Sequence, residues 1–387
     1  MRVRDLKNGT IRLTSIFIIY ILFNITISCQ KQINDPLTNY VNFSEAIDLF
    51  TSDIFESLRI VELETIEESI FGEITELIVW DENVFIFDKD KTNAVFRFHR
   101  TGRLLNTYGH IGKGPKEYNN AKSFILDKKK SQVELLVGAG NIMTYNLQGD
   151  LINQFRNPTQ LPALSFIKNN MGNYYYYCGH NNGFDKSKLF LLNEQGEITY
   201  KYFNENSNLF PFEEPNNNFF MHEDTIFFRE AYDNHVYIFP NDQAIPYCYF
   251  DFNEYNLPSD IPKDFFISLE KFATLFNFHR NREFELSTIH KHEQNYTPEF
   301  YFILKNIESA NNKVVKLPYL STFIDSFVFP LYLTDENEIV FSVHPMDLAL
   351  HSGIINSSPV FNKIIDEINT IEESANPILV FGKLKNF

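Results

Sequence analysis

The sequence predicts an all-β fold, a six-bladed β-propeller of four-stranded antiparallel blades, and three observations lead there. An apolar strand, a short polar turn closed by glycine and a second strand recur around Gly102, Gly149 and Gly196, at intervals of 47 residues. A further 47 residues reaches Gln243, where the turn persists without its glycine. Aromatic residues make up 16% of the chain, with Phe 40 and Tyr 20, and they suit pleated, half-buried surfaces. A strand-built period of about 40–50 residues marks propeller blades. One four-stranded sheet cannot bury both of its faces, so such units stack in a ring.

The chain opens with a segment of a different kind. Arg2, Arg4, Lys7 and Arg12 form a basic start, and Ser15 to Ile27 is an apolar run of 13 residues. A membrane-spanning helix needs about 20, so residues 1–28 are expected to be a lipoprotein signal peptide. Ile25-Thr26-Ile27-Ser28-Cys29 resembles the site at which a bacterial cysteine is acylated and becomes the new N-terminus. Cys29 is therefore the expected lipid attachment, which would tie the protein to the outer membrane, facing either the periplasm or the outside. Residues 29–57 are expected as a tether and 58–387 as the propeller.

Within the propeller, the first unit is expected to comprise strands at Ile74–Asp81, Val84–Asp88, Ala94–Arg100 and Leu104–Gly109. The second comprises Lys122–Asp127, Gln132–Val137, Ile142–Leu147 and Leu151–Phe155, and the third and fourth begin near Leu164 and Asn218. Glycine at the recurring turn supplies positive φ without a Cβ clash. Beyond Phe252 the period weakens. Pro262–Phe276 has the spacing of an amphipathic helix, and Pro359–Ile368 that of a second short helix. Phe284–Asn306 and Ser326–His344 supply further strand pairs, and Ile378–Leu384 is the last strand. Counting units of 47 residues from about residue 59 to 387 allows six or seven blades, and the insertions favour six. Arg59–Glu64 has no partner of its own, so it is expected to pair with Ile378–Leu384 and close the ring.

Several residues in this order resemble a known group: Leu63-Glu64-Thr65 with Ser69 and Gly72, Phe98 to Gly102, Gly112-Lys113-Gly114-Pro115-Lys116-Glu117-Tyr118, and Asn376-Pro377-Ile378-Leu379-Val380. Together they resemble the NHL-like six-bladed β-propeller lipoproteins of Bacteroidota, over about residues 58–387. The resemblance implies six blades and a cell-envelope location. It implies no reaction and carries over no catalytic residue.

Composition narrows the partners. The net charge is −16, and a surface that acidic repels nucleic acid and anionic membrane surfaces. Cys178 and Cys248 lie in aromatic strand-like runs and are expected as buried thiols, with a disulfide the alternative. Gly112-Lys113-Gly114-Pro115 lacks the spacing of a phosphate loop, and Asp88-Lys89-Asp90 lacks that of a calcium loop. His290 and His292 would share one strand face, but no third metal ligand stands at a meaningful spacing. Tyr174–Tyr177 is expected as a buried strand rather than a sugar-stacking platform. No cofactor is expected, and neither is a metal.

In a four-stranded meander the loop between second and third strands and the connection between blades fall on one face. That face would carry Asp88–Asn93, Gly138–Gly140, His180–Lys186, Glu230–Asn234 and Gly112–Tyr118. Binding residues concentrate on loops held by a rigid scaffold. Lys113, Glu117, Tyr118, His180, Arg229 and Asp233 are accordingly the candidate ligand contacts. The leading expectation is a non-catalytic binding module for an envelope protein, peptide or glycan. An envelope enzyme, a lyase or hydrolase with its site at the channel mouth, is the alternative, and a structural subunit of an envelope complex is a third reading.

Overall fold

The computed structural model describes residues 37–50, 52–180, 183–204, 218–230, 232–258, 271–293, 299–318, 329–344, 367, 371–372 and 375–387. The unit of interest is Thr38–Phe387; the leader and Cys29 lie outside the described residues. Strands are numbered in chain order, beginning with β1 (Leu37–Tyr40), β2 (Ile47–Asp48) and β3 (Phe55–Val61). Blade 1 is β4 (Glu76–Trp80), β5 (Asn83–Asp88), β6 (Ala94–His99) and β7 (Leu104–Tyr108). Blade 2 is β8 (Ala121–Asp127), β9 (Gln132–Val137), β10 (Asn141–Asn146) and β11 (Leu151–Phe155). Blade 3 is β12 (Ser165–Lys168), β13 (Tyr174–Tyr177), β14 (Ser187–Leu192) and β15 (Ile198–Asn204). Blade 4 is β16 (Phe219–His222), β17 (Thr225–Arg229), β18 (His235–Ile238) and β19 (Ile245–Asp251), with β1 added outside β19. Blade 5 is β20 (Phe272–Arg280), β21 (Phe284–His292), β22 (Glu299–Asn306) and β23 (Asn312–Lys316), with β2 added in parallel outside β23. Blade 6 is β24 (Pro330–Leu333), β25 (Glu338–Val343) and β26 (Ile378–Leu384), completed by β3.

The fold is thus the expected six-bladed propeller, and side-chain alternation explains its core. Successive residues of a strand point to opposite faces, and here each face meets a neighbouring blade. In β5, Val84 and Ile86 pack toward blade 6 while Phe85 and Phe87 pack toward blade 2. The core is accordingly six apolar clusters among the described residues, one at each blade junction. This is why the second strands read as near-continuous apolar runs rather than as alternating ones. Cys178 belongs to the junction of blades 2 and 3 and Cys248 to that of blades 4 and 5, so both are buried in separate clusters and are not disulfide-bonded to each other.

The recurring glycines sit between third and fourth strands with φ of +91°, +90° and +83° at Gly102, Gly149 and Gly196. In blade 4 the same turn takes its left-handed residues from Asn241 and Asp242, types that tolerate that region better than most. Gly102 is required twice over, since a Cβ there would lie 1.8 Å from the Glu62 carbonyl oxygen.

Two expectations are corrected. Residues 272–276, read as the end of a helix, begin the nine-residue strand β20, which pairs with β21 along its length. Each blade needs an inner strand, and that ladder overrides the local 3.6-residue spacing; residues 262–270 lie outside the described residues. Of the second expected helix, only Glu367 is described. The tether expected over residues 29–57 is also too long: β1 and β2 extend the sheets of blades 4 and 5, and Leu49, Phe50, Ile54 and Phe55 pack into the junction of blades 5 and 6.

Ring closure is antiparallel pairing of β26 with β3, from Leu379 opposite Val61 to Leu384 opposite Phe55. The expected partner of Ile378–Leu384 is correct, with the strand starting and ending a few residues earlier than Arg59–Glu64. Phe381 is 1% exposed at this seam, and the Arg59 guanidinium lies 4.1 Å from its ring centroid. Phe381→Ala is therefore expected to reduce stability by about 3–5 kcal/mol, read from the urea midpoint at constant m-value. A loss below about 1 kcal/mol would show that the seam is not a main support of the ring.

Candidate binding face at the channel mouth

The first strand of each blade lies innermost and its side chains enter from the face that carries the inter-blade connections. We call that face upper. Its loops are fixed from within. Asp88, fully buried at the end of β5, accepts backbone N–H bonds from Gly72, Asp90, Lys91 and Thr92. Burial raises its pKa, but these donors outweigh burial and hold the carboxyl below its ordinary value.

The candidate residues divide into braces and interior groups. In the connection from blade 1 to blade 2, the Glu117 carboxylate accepts from the Gly114 amide at 2.7 Å. A Cβ on Gly112 would meet that carboxylate at 1.9 Å, so glycine is needed for the loop to wrap its own acid. Tyr118 is buried and donates its hydroxyl to the Asn93 carbonyl at 2.6 Å. The GKGPKEY motif is thus a rigid connection, leaving Lys113 exposed on its crest.

His180 is buried, with Nε2 3.0 Å from Glu230 Oε1, and the Lys188 ammonium bonds the same oxygen. This interior cluster joins blades 3 and 4. Arg229, 2% exposed, turns the other way and donates to the Leu275 carbonyl of blade 5 at 3.3 Å. Asp233 accepts from His235 and from the Tyr237 hydroxyl, each at 2.6 Å. Burial raises its pKa, yet those two donors prevail and lower it. The six candidates therefore do not converge on one centre. His290 and His292 stand with ring centroids 4.3 Å apart, but no group of three or more metal-ligating residues occurs among the described residues.

Two features were invisible in the sequence. The first is an apolar rim. Ile66, Ile70, Ile111, Leu164 and Phe184 are exposed, and all belong to upper-face loops. Among the described residues of the lower-face turns, Met171 is the exposed large apolar side chain. There the turns carry ion pairs instead, Lys129 with Asp224, Arg282 with Glu223 and Arg100 with Glu336. The second is an interior carboxyl, Glu76, at the start of β4. It is 4% exposed and accepts from Ser123 of blade 2 at 3.2 Å, while its Oε1 has no partner. Burial pushes its pKa up to about 8.

Fold and face together define a six-bladed propeller with exposed apolar side chains on the upper-face loops of blades 1 to 3. The chain belongs to the family described as Domain of unknown function (DUF4934), whose profile matches residues 38–383. A crystal structure of a candidate exported protein from Bacteroides fragilis is similar to it, with a TM-score of 0.71 and 16% identity over 91% of this chain and 100% of the other. A streptogramin B lyase is similar at TM-score 0.46 and 10% identity, covering 86% and 100% of the two chains. Virginiamycin B lyase from Staphylococcus aureus is similar at TM-score 0.40 and 10% identity, covering 84% and 98% of the two chains. No functionally curated protein matches the chain.

Glu76 gives a test of the interior. Its pKa is higher folded than unfolded, so between about pH 4.5 and 8 the native state holds a proton the unfolded chain has lost. Stability should fall with rising pH across that window and level off above it, by up to about 1.4 kcal/mol per pH unit. Glu76→Gln should remove this slope, so the variant gains on the wild type between pH 5 and pH 8.5 in urea unfolding. Parallel curves for the two proteins would mean that Glu76 titrates normally.

Proposed function

We propose that the chain is an exported, lipid-anchored β-propeller of the cell envelope whose upper face is a non-catalytic docking surface for an envelope protein. The apolar rim carries this reading. Exposed apolar side chains gathered on one face of a strongly acidic protein mark an interaction site, and Ile66, Ile70, Ile111, Leu164 and Phe184 all stand on the upper-face loops of blades 1 to 3, while the described turns of the opposite face carry ion pairs. The braces beneath the rim support it as well, because loops fixed by Asp88, Glu117 and Tyr118 lose little entropy on binding. Lys113 and Lys116 are exposed beside Ile111, which suits a partner presenting apolar anchors flanked by carboxylates.

Export and anchoring rest on the basic start, the short apolar run and Cys29, and on the similarity to a candidate exported protein. No helix of the described residues is long and apolar enough to cross a membrane. Cys29→Ser is expected to move the protein from the membrane to the soluble fraction of fractionated cells. Retention in the membrane would remove the lipid anchor from the proposal.

For the docking face, Ile111→Asp combined with Leu164→Asp should abolish recovery of a stoichiometric partner after cross-linking on intact membranes. Met171→Asp on the lower face should leave recovery unchanged. Both sites are exposed, so the urea midpoint should move by no more than about 0.5 kcal/mol in either variant. Equal recovery with the upper-face and lower-face variants would refute the docking face.

A further inference from the structure

The outermost strands of the six blades are β7, β11, β15, β19, β23 and β3, and an outer strand is a template for pairing unless something protects it. The chain covers two of them itself, with β1 outside β19 and β2 outside β23. Two others carry charge, Lys201 in β15 and Glu56 with Arg59 in β3. In β7 most side chains are half-buried, and its first amide donates to the Glu64 carboxylate at 2.8 Å. The last is β11, the edge of blade 2. Its sequence Leu151-Ile152-Asn153-Gln154-Phe155 holds neither charge nor proline, its middle three residues are exposed, and Ile152 is 47% exposed. Ile152 is also the extra residue of a bulge against β10. Bulges can twist an edge away from pairing, but β19 has the same bulge at Tyr247 and still receives β1. Asp150 precedes β11 and Arg156 follows it, and both are exposed. The segment Asp150–Arg156 is therefore complementary to itself in reverse. In an antiparallel pair of two such strands centred on Asn153, each Asp150 faces the other copy's Arg156, Leu151 faces Phe155 and Ile152 faces Gln154.

We propose that β11 pairs antiparallel with β11 of a second copy of this chain, joining the two blades 2 into one continuous sheet about a two-fold axis at Asn153. The backbone groups on the outer side of β11 then gain partners, Ile152 is covered, and an opposite-charge pair closes each end. Charge selects this register, because a parallel in-register pair would set Asp150 against Asp150 and Arg156 against Arg156. The net charge of −16 opposes the approach of two copies, but at physiological ionic strength exposed charges are screened beyond about 8 Å, whereas the end pairs act at contact. The pairing uses the outer edge of the ring and does not depend on the docking face.

The test is disulfide trapping on the exported chain purified in detergent, at about 100 μM. Asn153→Cys places a thiol on the two-fold axis, where directly opposed residues have Cβ atoms about 4.5–5.5 Å apart, and mild oxidation should give a covalent dimer on a non-reducing gel. The wild type, whose Cys178 and Cys248 are buried, sets the background. Tyr200→Cys, exposed on the edge strand of blade 3, reports random collision and should give at least about tenfold less dimer. On the Asn153→Cys background, Arg156→Asp and Asp150→Arg each put like charges opposite one another at both ends and should lower the yield at least about fivefold, and the two combined should restore it to within about twofold. Asp150 also accepts from the Asn146 side chain in its own hairpin, so unfolding curves on each variant separate lost pairing from lost fold, and Arg156→Asp leaves that bond intact. Equal yields from Asn153→Cys and Tyr200→Cys, or an unchanged yield with Arg156→Asp, overturn the inference. So does oxidation in intact cells that links the Asn153→Cys thiol to a different protein in place of a second copy.

Discussion

The pairing of β26 with β3 is the constraint on which the remaining structure depends. Every blade buries its apolar side chains against a neighbour, so an open ring would expose two apolar faces at once. The seam brings together the two ends of the sequence and orders the upper face beside it. Asn376, just before β26, is 3% exposed; its side chain donates to the carbonyls of Glu64 and Ser69 and accepts from the Phe71 amide. Gly72 then donates to Asp88, so closure is transmitted into the first upper loop of blade 1. The N-terminal segment contributes outside the seam too, since β1 and β2 cover the edges of blades 4 and 5, edges that would otherwise be open templates for pairing.

This dependence explains what the sequence made legible. Turn glycines, blade period and ring closure follow from local rules: positive φ at Gly102, Gly149 and Gly196, strand-length apolar runs, and an unpartnered strand at each end. The errors have equally physical origins. Residues 272–276 carry a helical spacing, but the pairing of β20 with β21 is a tertiary demand that no local window contains. Residues 37–57 look like a tether because β1 and β2 are short, and a strand of two or four residues gains its stability from the sheet edge it joins. The resemblance motif was informative for a reason visible only in three dimensions, since Asn376, Glu64, Ser69, Gly72, Glu117 and Tyr118 are braces of the upper loops.

The upper face was legible as a place, and the side chains exposed on it were not. Topology alone assigns loops to the upper face, and that assignment holds. Choosing residues by chemical type selected Glu117, Tyr118, His180 and Asp233, whose polar atoms are engaged by the protein itself. A carboxylate or imidazole in a loop is attractive as a ligand contact, yet a tightly folded loop needs the same groups to satisfy its own backbone. The residues left over are less conspicuous in sequence. Isoleucine and leucine in turns look like core.

The interior carboxyl Glu76 also bears on how the junction of blades 1 and 2 is held. Glu76 in its ionised form would be an uncompensated buried charge, whereas in its protonated form it is a donor lacking an acceptor. Ser123 of the neighbouring blade donates to one of its oxygens. A residue of this kind adds nothing to the packing that an apolar side chain would not add better, so what it contributes at the junction of blades 1 and 2 is the directional bond to Ser123.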